Sequence, residues 1–525
     1  MQGKDLPSPL NFFYYFEHMR WCLILLFINL SLHAQQVDVQ HYRFSLTLSD
    51  TTNRIRGTAV ITARFPQKTN SFKLDLTGMT VKEVTEKNLP VTFEQDSSAL
   101  HLSIQPNEYH TFTIQYEGIP RDGLIISINK YGRRTFFSDN WPDRAHQWIP
   151  CVDNPADKAT VDFIITAPSH YQVIANGLKT KEITTGNLKT TWYSEKIPLP
   201  TKVLAVGVAD FAIDHSGDIN GIPVYSYLFP EDRQKGFRDY KMAGKILAYF
   251  IRKIGPYPYE KLANVQSKTI FGGMENAGAI FYSERSPGSR DIEELLAHEI
   301  AHQWFGDGVT ETDWQHVWLS EGFATYMTHL YMESKYGKDT LKAGLVTDRK
   351  KIIEFAKKRQ TAVVDTTVKE HFMQLLNINS YEKGGWALHM LRRQVGDSIF
   401  WKGIRLYFAT YNGRNANTSD FRKIMEKVSG QSLAMFFKQW LETAAMPVLE
   451  ISTKNENNLL SIEVKQTQDQ LFTFPLEYTV EGSADIHKVE IKDRITQFKI
   501  TTAGNTGVVN FDPQVNLLGE IGIKQ

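Results

Sequence analysis

The first part of the chain alternates hydrophobic and polar residues with a period of two. Four segments show this most clearly, with hydrophobic side chains at Phe44, Leu46 and Leu48, at Leu74 and Leu76, at Leu100, Leu102 and Ile104, and at Phe112, Ile114 and Tyr116. A period of two puts these side chains on one face of a β-strand, and turn residues separate the segments. Residues 36–218 are therefore predicted to form an all-β N-terminal domain.

From about residue 219 the hydrophobic positions recur every three or four residues instead. This spacing runs through 237–251, 291–305, 321–336, 383–396, 400–411 and 419–428. It is typical of helices that bury one face against a core. Residues 219–446 are therefore predicted to form a mainly helical domain of more than two hundred residues.

The alternation returns after Met446-Pro447. Hydrophobic side chains share predicted strand faces at Leu460, Ile462 and Val464, at Phe474, Leu476, Tyr478 and Val480, and at Val489 and Ile491. Residues 447–525 are therefore predicted to form a small C-terminal β-sandwich. A chain of 525 residues is long enough for three domains of this kind, so the predicted fold class is multidomain α+β.

The stretch RRTFFSDNWPDRAHQWIPCVDN, residues 133–154, is rich in aromatic residues and lacks a regular period. It is predicted to be a loop. Aromatic loops on a rigid sheet often line a binding site. Packing of the same side chains beneath the sheet would explain the composition equally well, and the sequence leaves both interpretations open.

The chain begins with a segment that has the features of a secretory signal peptide. Residues 19–34, MRWCLILLFINLSLHA, combine one positive charge, an apolar run and a small residue at Ala34. The apolar run is too short to span a bilayer, although a membrane anchor is the alternative. Residues 1–34 are expected to be removed, with Met19 as the better candidate for the true start. The mature chain is then expected in the periplasm or outside the cell, without a membrane span.

Composition narrows the possible functions. The 59 Lys and Arg residues balance the 58 Asp and Glu residues, which argues against a nucleic-acid binder because such proteins need a basic surface. Cleavage after residue 34 would remove Cys22 and leave Cys151 alone, so no intrachain disulfide is expected. Cys151 is expected to be a small buried apolar residue.

The stretch HEIAHQW, residues 298–304, carries the candidate chemistry. His298 and His302 are four apart, so on a helix they lie on one face and can bind one metal ion from the same side. Glu299 projects to the flank of that face, where it can reach an activated water without binding the metal. A helix with two hydrogen-bonded histidines is the alternative that the rest of the chain has to exclude.

The residues around the motif support a helix and supply a third ligand. Asp291 and Glu294 can cap its start, and Gly306 can end it, as can Gly308. Glu321 follows in WLSEGFATY, with 18 residues between it and the second histidine. Two antiparallel helices joined by this loop would bring its carboxylate to the histidines. By itself, Glu321 could equally be a carboxylate at a helix N-terminus, and nearby His316 is expected to be structural.

These motifs together resemble the aminopeptidase N and leukotriene hydrolase family of zinc metallopeptidases. Three further stretches agree with it: GPYPYEKLANVQ at 255–266 with FGGMENAGAIFYSE at 271–284, SYEKGGWALHMLR at 380–392, and QWIPCVDNPADKATVDFIITAP at 147–168. The resemblance covers residues from about 37 to 449. It implies a saddle-like β-rich N-terminal domain and a thermolysin-like catalytic domain.

The resemblance also implies roles for individual residues. His298, His302 and Glu321 would bind one zinc ion per chain, with Glu299 as the general base and Tyr381 as hydrogen-bond donor to the oxyanion. A metal ion of this kind makes a water acidic enough to act as a nucleophile near neutral pH. A phenol hydroxyl beside it stabilises charge that develops only in the transition state.

The GGMEN stretch would bind the substrate. Glu275 would hold the free α-ammonium of a peptide, and Gly272 and Gly273 would offer their backbone to it, flanked by Met274 and Asn276. A buried carboxylate pairs strongly with an ammonium, and it remains unpaired when the ammonium is blocked. The expected partners are therefore peptides with a free N-terminus.

Two positions depart from the family pattern. The family usually places Gln or Glu nine residues before the Pro-Cys pair as a second contact for the amine, and here that position is Trp141. Asp139, two residues earlier, can substitute for it, or Trp141 can wall the first subsite. In addition, Met373 stands where the leukotriene hydrolase branch has an Asp, which favours a plain peptidase.

The sequence therefore predicts a secreted, zinc-dependent aminopeptidase that removes N-terminal residues from peptides. The first alternative is a zinc endopeptidase or another hydrolase that uses the same metal site. The second is a catalytically silent, peptide-binding relative, which would be expected to lack a ligand, the base or the tyrosine.

Overall fold

The computed structural model describes residues 37–524 except 457–458, 482, 484 and 502–507. The predicted signal peptide, residues 1–34, lies outside this part of the chain. Within it, a strand-rich region is followed by a helical region and then by a second strand-rich region, as predicted. None of the helices in the described part is long and apolar enough to cross a bilayer.

The N-terminal region consists of strands that form three sheets. The strands are β1 (Asp38–Thr47), β2 (Ile55–Arg64), β3 (Ser71–Asp75), β4 (Met79–Glu86), β5 (Leu89–Pro90), β6 (Phe93–Gln95), β7 (Ala99–Ser103), β8 (Tyr109–Gly118), β9 (Leu124–Ile128), β10 (Arg134–Ser138), β11 (Ala159–Pro168), β12 (Gln172–Ala175), β13 (Leu178–Thr185), β14 (Leu188–Leu199) and β15 (Val206–Ala209). The largest sheet has the order β13-β14-β11-β1-β2-β8-β4-β5, and the smaller ones β12-β15-β10-β9 and β3-β7-β6.

The alternating positions face the core of this region as their period predicts. Phe44 in β1 is fully buried and pairs with Phe163 in the parallel neighbour β11, with ring centroids 5.9 Å apart. Cys151 is a buried free thiol, as expected. The predicted loop is only partly a loop, because Arg134–Ser138 forms strand β10, whose residues 135–138 are all buried.

The central region combines one mixed sheet with the helices. Its strands are β16 (Ala212–Ile219), β17 (Ile222–Leu228), β18 (Leu262–Ser267), β19 (Gly273–Met274), β20 (Ala279–Ser283), β21 (Val309–Glu311) and β22 (Arg414–Ala416). The first five pair in the order β16-β17-β18-β20-β19, which makes β19 an edge strand. The short strands β21 and β22 pair with each other in parallel.

The helices are close to the predicted segments, with three differences, one of which is that the last helix was not predicted. They are α1 (Arg233–Tyr240), α2 (Ala243–Lys253), α3 (Ile292–His302), α4 (Trp318–Tyr336), α5 (Lys338–Ala356), α6 (Gly384–Val395), α7 (Asp397–Tyr411), α8 (Thr418–Ser429) and α9 (Ala434–Leu441). The predicted segment 237–251 is divided between α1 and α2. Helix α5 was not predicted, because eight of its 19 residues are charged and Leu341, Leu345 and Ile352 are the only hydrophobic residues that it buries.

The C-terminal region is a two-sheet sandwich. Its strands are β23 (Val448–Glu456), β24 (Leu459–Gln466), β25 (Phe474–Val480), β26 (His487–Ile491), β27 (Ile495–Thr501), β28 (Val509–Phe511) and β29 (Glu520–Lys524). They form the sheets β27-β24-β23-β29 and β26-β25-β28. Tyr478 of one sheet packs against Phe498 of the other, with ring centroids 5.4 Å apart.

A polar junction fastens this sandwich to the helices. Arg349 of α5 lies 2.6 Å from the Asp512 carboxylate and donates to the Leu517 carbonyl at 3.1 Å. Beside it, Asn516 bonds Nε2 of His389 in α6 at 3.1 Å. Asp512 is buried, so its charge depends on these partners for compensation.

We expect the substitution Asp512→Asn to destabilise the protein by about 1–3 kcal/mol, because it leaves the largely buried Arg349 without its carboxylate. Urea unfolding followed by tryptophan fluorescence would measure the loss. The matched control is Lys524→Met in the same domain, since its ion pair with Glu450 is largely exposed and should contribute less than about 1 kcal/mol. Equal effects of the two substitutions would contradict the importance of the junction.

Candidate metal centre and active-site cavity

The helix that carries the H-E-x-x-H motif, α3, runs antiparallel to α4 and is tied to it at both ends. At the start of α3, the Glu293 carboxylate accepts hydrogen bonds from Tyr331 (2.7 Å) and Tyr336 (2.6 Å) near the end of α4. At its other end, the Ser320 hydroxyl of α4 lies 3.0 Å from Nδ1 of His302. The helix pair inferred from the sequence is therefore formed.

The ends of α3 differ from the prediction. Asp291 occupies the N-cap position, but its side chain makes no capping hydrogen bond within the described chain, so the capping box expected with Glu294 is not formed. The helix ends at His302, and the backbone then turns at Gly306 with a φ of +121°. A Cβ at Gly306 would collide with the Ser320 hydroxyl, so glycine lets the turn pass close to α4.

Three ligand-type atoms converge between the two helices. Nε2 of His298 and Nε2 of His302 are 3.1 Å apart, and Oε2 of Glu321 lies 3.5 Å from the first and 3.3 Å from the second. His302 and Glu321 are buried, whereas His298 is partly exposed. Glu275 and Glu299 have carboxylate oxygens within 4.8 Å of each other and of a His302 ring nitrogen.

The electrostatics of this cluster favour a positive charge. Burial opposes protonation of His302, yet the carboxylates of Glu321 and Glu275 raise its pKa to about 10. Burial also opposes ionisation of Glu321, but the two histidines hold the pKa of its carboxyl below the usual range. Nδ1 of His302 lies 3.1 Å from the Phe305 carbonyl, to which it donates, so Nε2 is directed at the cluster.

Glu299 lies on the flank of the cluster. It is buried, and burial raises the pKa of its carboxyl well above the usual value although His302 opposes the shift. Its carboxylate fills the space next to Gly273, since a Cβ on Gly273 would collide with it. The edge strand β19 therefore passes directly beside this carboxyl group.

Tyr381 lies on a π-helical turn, Asn379–Lys383, that leads into α6. Its ring is nearly parallel to that of His298, at 11° with centroids 6.0 Å apart. The turn is anchored by Asn379, which donates to the Thr361 carbonyl at 2.8 Å. Burial, together with the nearby carboxylate of Glu321, raises the pKa of Tyr381 well above its usual value, so the phenol keeps its proton.

Glu275 follows strand β19 and is held through its backbone. Gln303 donates to the Glu275 carbonyl at 2.7 Å and accepts from the Gly278 amide at 2.8 Å, which fixes the segment against the end of α3. The side chain is 5% exposed, and burial raises the pKa of its carboxyl. Oε1 of Glu275 has no hydrogen-bond partner among the described residues.

These groups border one cavity of about 260 Å³. Ten of the twelve residues predicted to form the site line it: Trp141, Gly272, Gly273, Met274, Glu275, His298, Glu299, His302, Glu321 and Tyr381. Trp141 follows β10 in the aromatic stretch, so one part of that stretch lines a cavity while Phe136, Phe137 and Trp148 pack in the core.

Asp139 and Asn276 do not line the cavity. Both are fully buried. The Asp139 carboxylate bonds Arg144 at 2.5 Å, the Thr269 hydroxyl at 3.0 Å and the Ile270 amide at 2.9 Å. Its oxygens are therefore occupied by the protein, and Asp139 anchors the segment before GGMEN instead of offering a second contact to an amine.

Three residues of the cavity were not predicted: Phe271, Leu295 and Leu376. Leu295 lies one turn before the first motif histidine, so helical periodicity could have identified it. Phe271 directly precedes GGMEN, whereas Leu376 lies in an irregular segment whose sequence gives no signal. His316, expected to be structural, lies outside the cluster and contacts the Thr418 hydroxyl at 2.9 Å.

Comparison with known families agrees with this architecture. Residues 38–203 match the peptidase M1 N-terminal domain, and residues 239–440 match the peptidase family M1 domain. The second match contains α3, α4, GGMEN and Tyr381. The two matches together account for more than half of the chain.

Individual relatives carry aminopeptidase names. A probable aminopeptidase 2 of Sulfurisphaera tokodaii is 28% identical over 436 residues, which is 79% of this chain and 55% of the relative. A leucyl aminopeptidase of Saccharolobus solfataricus is 24% identical over 88% of this chain and 61% of the relative. A glutamyl aminopeptidase of Rattus norvegicus is 26% identical over 72% of this chain and 43% of the relative. The chain thus spans about half the length of the curated relatives it matches. It belongs to peptidase family M1, the aminopeptidase N family of zinc metallopeptidases.

Proposed function

We propose that this protein is a zinc-dependent aminopeptidase that hydrolyses the N-terminal bond of peptides. One observation carries the proposal. Glu275, a buried carboxylate with an oxygen that has no partner among the described residues, borders the same cavity as the two histidines, Glu299 and Tyr381. The aminopeptidase names of the relatives support the same activity.

The donor set fits zinc. Ligands bound at 2.0–2.1 Å in a tetrahedron are about 3.3–3.4 Å apart. The three atoms of His298, His302 and Glu321 are separated by 3.1–3.5 Å, so little movement is needed to bind one ion. Two imidazoles and one carboxylate leave a fourth position open, as in catalytic zinc sites. When bound, zinc would supply Lewis acidity towards water and the scissile carbonyl.

Two side chains beside this centre have separate roles in the reaction. Glu299 accepts a proton from the attacking water and returns it to the leaving amine. Its raised pKa makes it a stronger base than an exposed carboxylate. Tyr381 keeps its proton and donates a hydrogen bond to the carbonyl oxygen as that oxygen gains negative charge.

Glu275 provides the requirement for a free N-terminus. The ammonium of a peptide can donate to the unpartnered oxygen and neutralise the buried charge. A blocked amine brings no charge, so the same carboxylate would stay buried and uncompensated at a cost of about 3–5 kcal/mol. Gly272, which directly precedes β19 and lines the cavity, leaves room for the backbone of the peptide beside this group.

We expect Glu299→Gln to lower kcat/KM by at least about 100-fold, because the amide cannot accept the proton. Metal analysis should still find one zinc ion per chain, since this residue is not a ligand. Glu294→Gln on the exposed face of the same helix is the matched control and should keep wild-type activity. Wild-type turnover by Glu299→Gln, or turnover that survives complete removal of metal by a chelator, would contradict the assignment.

We expect N-acetylation of a peptide to reduce its cleavage by at least about 100-fold, from the 3–5 kcal/mol cost of the unpaired carboxylate. Glu275→Gln should slow cleavage of the free peptide and leave cleavage of the acetylated peptide nearly unaffected. The ratio of kcat/KM for the free peptide to kcat/KM for the acetylated peptide should therefore fall. Kinetics on one matched pair of peptides would measure this. Equal turnover of both peptides by the wild type would indicate an endopeptidase instead.

We also propose that residues 19–34 direct export of the protein and are then removed. The positive charge, the apolar run and Ala34 support this assignment. N-terminal sequencing of the exported protein should find a start close to Gln35. A mature chain that begins well before residue 30 would contradict it.

A further inference from the structure

The lining of the cavity divides into two halves of different chemistry. The polar half holds the metal cluster, Glu299, Tyr381 and Glu275, and each of these groups has a role in the proposed reaction. The other half is apolar, and its side chains are Trp141, Phe271, Met274, Leu295 and Leu376. No charged side chain outside the polar half lines the cavity in the described part of the chain.

Trp141 is held rigidly in this apolar half. Its ring meets Phe271 edge-on at a centroid distance of 6.4 Å and Trp314 at 5.1 Å. Its carbonyl accepts a hydrogen bond from Arg144 at 2.8 Å. Trp314 does not itself line the cavity, so the Trp141 ring separates it from the bound substrate.

Trp141 and Glu275 border the same cavity of about 260 Å³. In a cavity of this size the Trp141 ring faces the space that an ammonium held by Glu275 would share. The side chain of an N-terminal residue shares its α-carbon with that ammonium and must be accommodated there.

We propose that Trp141 is the end wall of the pocket for the first side chain, and that the substrates are peptides beginning with an uncharged aliphatic residue. This inference rests on the proposed aminopeptidase function. A charged first side chain would lose its hydration without gaining a partner in this half. A large aromatic side chain would meet the fixed indole ring, because the 260 Å³ cavity must also hold the backbone and the ammonium.

Four fluorogenic aminoacyl amides that begin with Leu, Trp, Lys or Glu provide the test. We expect the wild-type zinc enzyme to prefer Leu over each of the others by at least about tenfold in kcat/KM, a difference of about 1.4 kcal/mol. Trp141→Ala opens the pocket towards Trp314 and should raise the Trp-to-Leu ratio at least about tenfold. Trp192→Ala, which removes a half-buried tryptophan on β14, is the matched control and should leave the ratio unchanged.

The outcomes separate this inference from the proposed function. If the protein releases no N-terminal residue from any substrate, both fail. If it releases Lys or Glu better than Leu, or if Trp141→Ala slows all four substrates by the same factor, only the pocket assignment fails. Trp141→Phe keeps an aromatic contact with Phe271 and should shift the ratio in the same direction by a smaller factor. If circular dichroism shows that Trp141→Ala is unstable, Trp141→Phe provides the test instead. An unchanged Trp-to-Leu ratio in that variant would overturn the assignment.

Discussion

The structure of the site depends on the convergence of two imidazoles and one carboxylate in the interior between α3 and α4. Bringing these groups out of water is costly unless each gains a partner. The two helices are therefore fixed relative to each other at both ends, by Glu293 at one and by Ser320 with Gly306 at the other. Small displacements at either end would pull the three ligand atoms apart, since they are within 3.5 Å of one another.

The sequence predicted what depends on local spacing. Period-two alternation identified strands β1, β3, β7, β8, β24, β25 and β26, and the four-residue spacing of the histidines put them on one helix face. Glu321 was also within reach of sequence reasoning, because two antiparallel helices joined by the connection 303–317 can bring its carboxylate to the histidines. Helix α5 was missed because eight of its 19 residues are charged, so the helical spacing of its three buried hydrophobic residues is a weak signal.

What the sequence could not predict depends on contacts between distant segments. Asp139 seemed available for an amine, yet its oxygens bond Arg144, Thr269 and Ile270, two of which are more than a hundred residues away. Leu376 could not be predicted either, because it lines the cavity only through the fold of the irregular segment before Tyr381. The start of α3 differs for another reason. The Asp291 side chain makes no capping hydrogen bond within the described chain, and the contacts near the start of α3 are instead those of the Glu293 carboxylate with the neighbouring helix.

The two domains contribute unequally to the cavity, and this division has a chemical consequence. The histidines, Glu299, Glu321, Tyr381 and Glu275 all belong to the central region, on α3, on α4, in the turn before α6 and directly after β19. Trp141 is the one lining residue that the described N-terminal region supplies. If Trp141 is the pocket wall that we propose, a substitution there would change the shape of the first pocket and leave the contacts between α3 and α4 in place. The choice of substrate would then vary independently of the proposed hydrolytic chemistry, because Trp141 and the metal cluster are held by different sets of contacts.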